Sequence, residues 1–358
     1  MDPIPPLPHP VTKIAIVRAL HLGDLILTVP ALRALRVRFP QAEITLIGLP
    51  WAQDFVRRFS KYIDRLSEFP GYPGITEVPV YPERTERYLR EAQEYGYDIA
   101  IQMHGDGTAS NPFTVRLGAR YTVGYQRAEQ KDIKLSLSLP YNENDHTILK
   151  NLRLVEALGT PSQGTHLEFP LLDDDYQDLR SIPEALALEE PGFWIGLHPG
   201  ARPPSRRWPP DRFAMLADAL AQRYDARIVL LGGPGEEALA AAIQERMNVQ
   251  AVTLAGRTTI GALAVAISRL GLFISNDSGP AHIATALDIP SVAIFSSADP
   301  RRWAPLDQRR HRIVYKPVGC NPCPHWECPI DHRCVRRVYV EDVLAQVEGL
   351  LGDIWRED

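Results

Sequence analysis

The sequence has few cysteines, no long apolar run and no excess of positive charge, and each absence excludes a class of protein. All four cysteines lie between Cys320 and Cys334, so the chain lacks the dispersed pairs of a secreted disulfide scaffold. No apolar segment approaches the roughly 20 residues of a membrane-spanning helix. The net charge of −5 argues against general binding to nucleic acid, whose phosphates require a basic surface.

The N-terminal residues also lack the apolar centre of a signal peptide. The stretch MDPIPPLPHP contains five prolines, so we expect a disordered leader over residues 1–12. We therefore expect a cytoplasmic protein, for which peripheral contact with the inner face of the membrane stays open. A chain of 358 residues exceeds one ordinary domain, and two domains are expected.

Short apolar runs alternate with helical patterns along the first half. KIAIVRAL predicts a buried strand, and the residues after HLGD have helical spacing up to Pro40. Because proline has no N–H, Pro30 should lie near the start of this helix or mark a kink. AEITLIGLP, YDIAIQMHG and ARYTVGYQ predict further strands. We expect an N-terminal Rossmann-like domain over residues 13–172.

The second half repeats this alternation, with a strand in GFWIGLHPGA, a helix in PDRFAMLADALAQRY and a strand in ARIVLLGG. Strands that alternate with helices predict a parallel sheet with right-handed crossovers. We interpret the acidic segment 173–192 as a linker, residues 193–340 as a second domain and residues 341–358 as a C-terminal helix. The predicted class is α/β, with two doubly wound, Rossmann-like domains facing each other across a cleft.

Four polar turns follow predicted strands, namely ALHLGD, LHPGARPPSRRW, LGGPGEE and SNDSGPAH. In doubly wound sheets, ligands bind outside the carboxyl ends of the strands. A turn from a strand into a helix also presents backbone N–H groups at a positive helix end, which suits a phosphate. None of the turns matches G-x-G-x-x-G or a Walker A motif, which weighs against an NAD-linked oxidoreductase and a P-loop enzyme.

Together these motifs resemble glycosyltransferase family 9, the ADP-heptose:lipopolysaccharide heptosyltransferases and their relatives. The resemblance covers most of residues 13–345 and rests on R-x-x-x-L-G-D with TVPALRALR, HPGA before RRWP, LLGGPGEE, and NDSGPAHIATALDIPSVAIF. It implies the GT-B fold and inverting, metal-independent transfer of a sugar from a nucleotide diphosphosugar. ADP-heptose is the expected donor, held mainly by the C-terminal domain. The expected acceptor is a lipopolysaccharide-core-like, other glycan, lipid-linked, protein or small molecule, held by the N-terminal domain.

Asp24 follows Gly23 at the end of the first predicted strand. Inverting transfer needs a base that removes the proton of the acceptor hydroxyl as it attacks the anomeric carbon. The general base of the family matches Asp24, and Gly23 lies beside it on the acceptor side. Aspartate is also a favoured helix N-cap, which is the alternative for this residue.

The NDSGPAH turn is expected to bind the donor diphosphate. Ser278 and Gly279 can offer a hydroxyl and N–H groups, at the positive end of the helix that follows. Asp277 would repel a phosphate, so it is expected to order the loop or, as the family suggests, to accept a hydrogen bond from a sugar hydroxyl. His282 either contacts phosphate or packs in the core, and both interpretations stay open.

The mid-chain turn supplies further donor contacts. The family often carries a lysine two residues before Trp208; here that residue is Arg206, whose guanidinium can bind phosphate bidentately. Whether Arg206 or Arg207 makes this contact stays open. The N–H groups of Gly200 and Ala201 are additional candidates.

Two residues are assigned from the resemblance alone. It implies that Glu236 contacts the ribose hydroxyls and that Thr258 contacts the base ring. An acidic residue at a helix start also suits ordinary helix electrostatics, so a structural role for Glu236 stays open.

The stretch QMHGDGTASN follows a predicted strand in the N-terminal half and contains His104 and Asp106. We expect both residues on the acceptor side, with His104 supporting Asp24. A loop that is hydrogen-bonded to itself is the alternative. Neither this stretch nor FPGYPGITEVP matches a general feature of the family, so they can mark a subfamily with its own acceptor.

The cysteines have the spacing C-x2-C-x4-C-x5-C, and four thiolates this close can bind zinc or iron in a tetrahedral structural site. His325 or His332 could replace one ligand, and free thiols are the alternative. The D-x-D pattern of residues 173–175 lies in the predicted linker and is not interpreted as a metal site. The predicted ligands are Cys320, Cys323, Cys328 and Cys334.

Two other classes of function remain alternatives. A nucleotide-sugar epimerase or hydrolase on the same fold would release its products without an acceptor. A non-catalytic protein could bind nucleotides on the scaffold of a former enzyme. Asp24, Asp277 and the basic turn together favour a working transferase. No nucleic-acid partner and no catalytic cofactor are expected.

Overall fold

The computed structural model describes residues 6–130 and 132–357, so the first five residues of the predicted leader lie outside it. The chain divides into two compact units, of which the first ends at His166 and the second begins at Leu167. Among the described residues, no helix combines the length and the apolar character that crossing a membrane requires.

The first unit contains a sheet of six parallel strands in the order β3-β2-β1-β4-β5-β6. The central strand β1 is apolar and β-branched, and Ile14, Ala15, Ile16 and Val17 are almost completely buried because helices cover both faces of the sheet. The strands are β1 (Lys13–Val17), β2 (Glu43–Gly48), β3 (Arg65–Glu68), β4 (Ile99–Gln102), β5 (Tyr121–Gln126) and β6 (Leu137–Pro140).

The helix predicted after β1 is divided into two. Its first part ends at Ile26 and its second begins at Val29, with Pro30 in the first turn, where a missing N–H costs nothing. Pro30 thus lies at a helix start, which is one of the two positions predicted for it. The helices of this unit are α1 (Leu22–Ile26), α2 (Val29–Arg38), α3 (Ala52–Arg58), α4 (Pro82–Tyr95), α5 (Ser110–Arg116) and α6 (Thr147–Glu156).

The second unit contains another sheet of six parallel strands, in the order β12-β11-β10-β7-β8-β9. Counted within each unit, both sheets have the order 3-2-1-4-5-6, which confirms the predicted α/β class with two doubly wound sheets. The strands are β7 (Trp194–His198), β8 (Arg227–Leu230), β9 (Ala251–Thr253), β10 (Leu272–Asn276), β11 (Ser291–Phe295) and β12 (His311–Tyr315).

The helices of the second unit include one in the segment interpreted as a linker. They are α7 (Asp173–Arg180), α8 (Pro210–Tyr224), α9 (Glu237–Gln244), α10 (Ile260–Ser268), α11 (Gly279–Ala286), α12 (Pro300–Trp303), α13 (Arg333–Arg336) and α14 (Val340–Glu357). Short 3-10 helices cover Pro183–Glu189 and Pro204–Arg206.

The acidic segment therefore differs from an open linker. Helix α7 packs against α10, Leu179 is fully buried, and Thr259 Oγ1 donates to Asp178 Oδ2 over 3.1 Å. Its three aspartates, residues 173–175, form the first turn of α7, where negative charge suits the positive helix end. Asp175 Oδ2 accepts a hydrogen bond of 2.7 Å from the N–H of Leu172, so the D-x-D pattern is part of a helix start.

Strand order determines which loops meet. In each unit the first three strands extend the sheet to one side, and the fourth strand is added on the other side of the first. The first and fourth strands are therefore neighbours, and they are β1 and β4 in one unit and β7 and β10 in the other. Because all strands are parallel, the loops after these strands lie at the same edge of their sheet. This is the place where doubly wound sheets bind ligands.

Candidate functional site

Asp24 lies at the carboxyl edge of the first sheet, in the first turn of α1. The N-cap of this helix is His21, so Asp24 is not the capping residue that the alternative interpretation required. Its side chain is 31% exposed, and this partly exposed carboxylate can therefore reach a ligand.

Arg18 is the partner of Asp24. Its Nη2 lies 3.7 Å from Asp24 Oδ1, and its Nε donates a hydrogen bond of 3.0 Å to the backbone oxygen of Asp24. Its Nη1 donates to the backbone oxygen of Met103, so this one side chain joins the ends of β1 and β4. Burial lowers the pKa of Arg18 and the charge of Asp24 raises it. Arg18 begins the R-x-x-x-L-G-D pattern, which is the signal that could have identified it.

His104 lies in the loop after β4 and faces Glu77, with 3.8 Å between Nε2 and Oε2. Burial lowers the pKa of His104, against the charges of Glu77 and Asp24, which raise it. In the described part of the chain no hydrogen bond joins His104 to Asp24, and the support of Asp24 by His104 stays a prediction. Glu77 belongs to the FPGYPGITEVP segment and was not predicted.

The two stretches of the N-terminal half that match no general feature of the family, FPGYPGITEVP and QMHGDGTASN, pack on each other. A Cβ atom at Gly74 would lie 2.8 Å from Cβ of Ala109, so the close approach of FPGYPGITEVP to the loop after β4 requires glycine here. Asp106, in that loop, accepts from the N–H of Thr108 over 2.8 Å and pairs with Arg127 over 2.6 Å. One carboxylate oxygen of Asp106 is therefore bonded within its own loop and the other to the residue that follows β5, and the acceptor-side role of Asp106 stays a prediction.

The predicted donor residues gather at one edge of the second sheet. They lie on the loops after β7, β8, β9 and β10 or at the start of helix α11, and these four strands are consecutive neighbours in the sheet. These residues are Gly200, Ala201, Arg206, Arg207, Glu236, Thr258, Asp277, Ser278, Gly279 and His282.

Arg206 and Asp277 form an ion pair at this edge. Arg206 Nη1 donates to Asp277 Oδ2 over 2.9 Å, and the guanidinium lies 5.7 Å from the ring centre of Trp303. The Asp277 side chain is 6% exposed and that of Arg206 29%. The pair orders the loops after β7 and β10 and leaves part of the guanidinium accessible to a ligand.

Arg207 points elsewhere. Its Nε donates a hydrogen bond of 2.8 Å to the backbone oxygen of Ala201, within the loop after β7. Arg207 therefore closes its own loop, while Arg206 reaches the loop after β10. Which of the two contacts a phosphate stays a prediction.

Ser278 precedes α11, and His282 lies buried inside the same helix. The Ser278 Oγ is buried and has no hydrogen-bond partner among the described residues. An unpartnered hydroxyl at the positive end of a helix can donate to an anion. His282 is 6% exposed, so packing accounts for most of its surface.

Glu236 occupies the space beside Gly200. A Cβ atom at Gly200 would lie 1.9 Å from Glu236 Oε1, so only glycine allows this approach. Glu236 Oε2 accepts from the N–H of Gly233 over 2.8 Å and lies 3.4 Å from Nε2 of His198. Burial lowers the pKa of His198, against the charge of Glu236. The carboxylate thus joins the loops after β7 and β8. Thr258 is 8% exposed, and its hydroxyl has no partner among the described residues.

Asn276 is a further structural residue of this edge. Its fully buried amide donates from Nδ2 to the backbone oxygen of Pro199 over 2.6 Å. Its Oδ1 accepts a hydrogen bond of 3.0 Å from the backbone N–H of Trp208. One side chain therefore fixes both ends of the loop that carries Arg206. It stands in the NDSGPAH motif, but nothing in the motif indicates its partners.

The four cysteines have free thiols. Cys334 is buried, and this burial raises the pKa of its thiol, while Cys328 Sγ accepts a hydrogen bond of 3.3 Å from the N–H of His332. Within residues 6–130 and 132–357, no group of three histidine, cysteine or acidic side chains is arranged to hold a metal ion. The predicted zinc or iron site does not fit this arrangement and stays a prediction, to be tested by elemental analysis of the purified protein.

Comparison with known proteins identifies relatives. The profile of glycosyltransferase family 9 (heptosyltransferase) matches residues 85–333, which is more than half of the chain. The chain is 26% identical over 339 residues to lipooligosaccharide heptosyltransferase 2 of Campylobacter jejuni, covering 92% of this chain and 96% of the relative.

Solved structures share the fold. A glycosyltransferase family 9 protein from Veillonella parvula superposes with a TM-score of 0.77 at 22% identity, over 95% of this chain and 97% of its own. The ADP-heptose lipopolysaccharide heptosyltransferase II of Escherichia coli superposes with a TM-score of 0.73 at 19% identity, over 97% and 100% of the two chains.

Two doubly wound units of this kind, shared with these solved structures, define a fold of the GT-B type. The chain belongs to glycosyltransferase family 9 (heptosyltransferase), and it is therefore an enzyme that transfers a sugar.

Proposed function

We propose that the enzyme transfers a heptose from ADP-heptose to a hydroxyl group of a lipopolysaccharide-core-like acceptor, with inversion at the anomeric carbon. The observation that carries this proposal is Asp24, a partly exposed carboxylate at the point of the first sheet where such folds bind ligands. The names of its relatives, which act on lipooligosaccharide or lipopolysaccharide, support the donor and the acceptor.

In the proposed reaction Asp24 acts as the general base. Its carboxylate accepts the proton of the acceptor hydroxyl while that oxygen attacks the anomeric carbon. The bond between the anomeric carbon and the diphosphate oxygen breaks on the opposite face, and ADP leaves with the electron pair. Arg18, which contacts the same carboxylate and the backbone oxygen of the same residue, positions Asp24.

The second unit binds the leaving group. Arg206, the Ser278 hydroxyl and the N–H of Gly279 at the positive end of α11 stabilise the charge that develops on the diphosphate. These groups supply positive potential without a metal ion, so we propose a metal-independent reaction. Glu236 is proposed to contact the ribose and Thr258 the base ring. A lipid-linked acceptor would place the enzyme at the cytoplasmic face of the inner membrane.

The test uses ADP-heptose as donor and a lipooligosaccharide that ends one heptose short as acceptor. We expect the wild-type enzyme to release ADP and extend the acceptor, and NMR should show opposite anomeric configurations in donor and product. Asp24→Asn should abolish transfer and leave the affinity for ADP within about twofold, since the asparagine keeps the shape of the side chain. Asp173→Asn is the matched control, since Asp173 is also an aspartate in the first turn of a helix, α7, and its side chain is exposed.

Three results would contradict the proposal. Equal loss of ADP binding and transfer in Asp24→Asn would remove the base role from this residue. Release of ADP without an acceptor at the same rate would favour a hydrolase. Absence of binding to any nucleotide sugar would favour the non-catalytic scaffold.

A further inference from the structure

The cysteine-bearing segment, residues 320–334, lies against the turn that carries Arg206. Ser205, which is 2% exposed, directly precedes Arg206. Its backbone N–H donates to the oxygen of Trp326 over 3.1 Å, and its Oγ donates to the oxygen of His325 over 2.8 Å. Two hydrogen bonds from a single residue thus connect this turn to a segment more than a hundred residues further along the chain.

The same segment is attached to the end of strand β11. Asn321 Nδ2 donates to the backbone oxygen of Ser296, and the N–H of Cys323 donates to the oxygen of Ser297 over 2.8 Å. Ser296 Oγ in turn donates to the oxygen of Ser205 over 3.3 Å. The segment, the end of β11 and the Arg206 turn therefore form one closed set of hydrogen bonds.

The turn needs this external support. It is a 3-10 helix of three residues, Pro204–Arg206, in a loop with two consecutive prolines. Its internal bonds are those of the N–H groups of Arg206 and Arg207 to the oxygens of Pro203 and Pro204, over 2.9 and 3.0 Å. So short a 3-10 helix has poor hydrogen-bond geometry and little stability of its own.

We propose that Ser205 and Asn321 are positioning residues for the donor diphosphate, and that they act by fixing the backbone from which Arg206 reaches it. The inference rests on the proposed function of Arg206. It gives the cysteine-bearing segment a role that depends on its backbone and on Asn321, and that needs no bound metal.

Calorimetric titration with ADP tests this role. Removal of one hydrogen bond of ordinary strength predicts that Ser205→Ala raises the Kd for ADP about fivefold. Asn321→Ala should have a similar effect from the other side of the contact, and it provides a second variant if Ser205→Ala does not fold. The matched controls are Ser181→Ala and Asn142→Ala, which remove exposed side chains with local hydrogen bonds and should leave the Kd unchanged.

A double-mutant cycle separates positioning from general loss of structure. If Ser205 acts through Arg206, Ser205→Ala should have no further effect on the Kd in an Arg206→Ala background. Full additivity of the two changes, or an unchanged Kd in both single variants, would overturn the inference while the proposed function stands. Failure of the wild-type protein to bind ADP would refute the proposed function, and this inference with it.

Discussion

Asn276 offers a direct test of the geometry at the edge of the second sheet. Its side chain is fully buried and bonds to the oxygen of Pro199 over 2.6 Å and to the N–H of Trp208 over 3.0 Å. Asn276→Ala leaves both backbone groups buried without these partners. Each unsatisfied group costs about 1–3 kcal/mol, and water entering the vacated space recovers part of this. We expect the free energy of unfolding to fall by about 2–4 kcal/mol.

Urea denaturation followed by tryptophan fluorescence measures this loss, because five of the six tryptophans, among them the fully buried Trp208, lie in the second unit. Asn248→Ala is the matched control, since the exposed Asn248 bonds to Asp218 at the surface. We expect the control to lose less than about 1 kcal/mol. A loss this small for Asn276→Ala would show that the two buried bonds are not formed.

Asn276→Asp adds a dependence on pH. A carboxyl group here keeps the acceptor for Trp208, but when ionised it directs a charged oxygen at the carbonyl of Pro199. Burial and this repulsion raise its pKa in the folded state above the unfolded value of about 3.9. The variant should therefore be most stable, relative to the wild type, below about pH 4, and lose that stability as the pH rises. A relative stability that does not change with pH would refute this reasoning.

Three further predictions concern other sites. Gly200→Ala forces the Glu236 carboxylate away from Gly233 and His198, and it should lower the free energy of unfolding by about 1–3 kcal/mol, whereas Gly233→Ala, with its nearest contact at 3.9 Å, should fit more easily. Burial alone would raise the pKa of Asp98, but hydrogen bonds from Thr12, Lys13 and Arg120 lower it overall, so Asp98→Asn should cost about 1.5–3 kcal/mol at pH 7. The difference in stability between the wild type and Asp98→Asn should shrink as the pH falls through the folded-state pKa of Asp98. A difference between their denaturation midpoints that stays constant across pH 2–7 would contradict this. Burial lowers the pKa of His104, so NMR titration should find this histidine neutral at pH 7. Glu77→Gln should lower the pKa of His104 further, whereas the exposed control Glu83→Gln should not change it. A higher pKa of His104 in Glu77→Gln would contradict the pairing.

Several features of the fold could be predicted because they depend on local pattern. The apolar periodicity of PDRFAMLADALAQRY gives a helix whose bounds, Pro210–Tyr224, are those of the structure. Alternating strands and helices predict parallel sheets, and Pro30 predicts a helix start or a kink, of which the structure shows the start of α2. Helix α7 was not predicted, because its acidic sequence lacks a continuous apolar face and packing on α10 stabilises it.

The residues of the candidate site also include some that could be predicted from local pattern and some that could not. Asp24, Arg206 and the NDSGPAH turn stand in motifs with a recognisable chemistry, and their place after predicted strands already assigns them to a sheet edge. Arg18, Glu77 and Asn276 act through partners that the motifs do not contain. Their roles depend on pairs such as Arg18 with Met103, 85 residues apart, and Asn276 with Pro199, 77 residues apart.

By itself, the sequence determined the class of fold, the strand-to-helix turns that carry charge, and the family. These follow from periodicity and from residue types at short spacing, which each segment carries regardless of its neighbours. Only the tertiary structure decided that Arg18 holds Asp24, that Glu77 faces His104, and that the cysteine-bearing segment supports the Arg206 turn. The physical reason is strand order: β4 lies beside β1, and β10 beside β7, because of crossovers that bury both faces of each sheet.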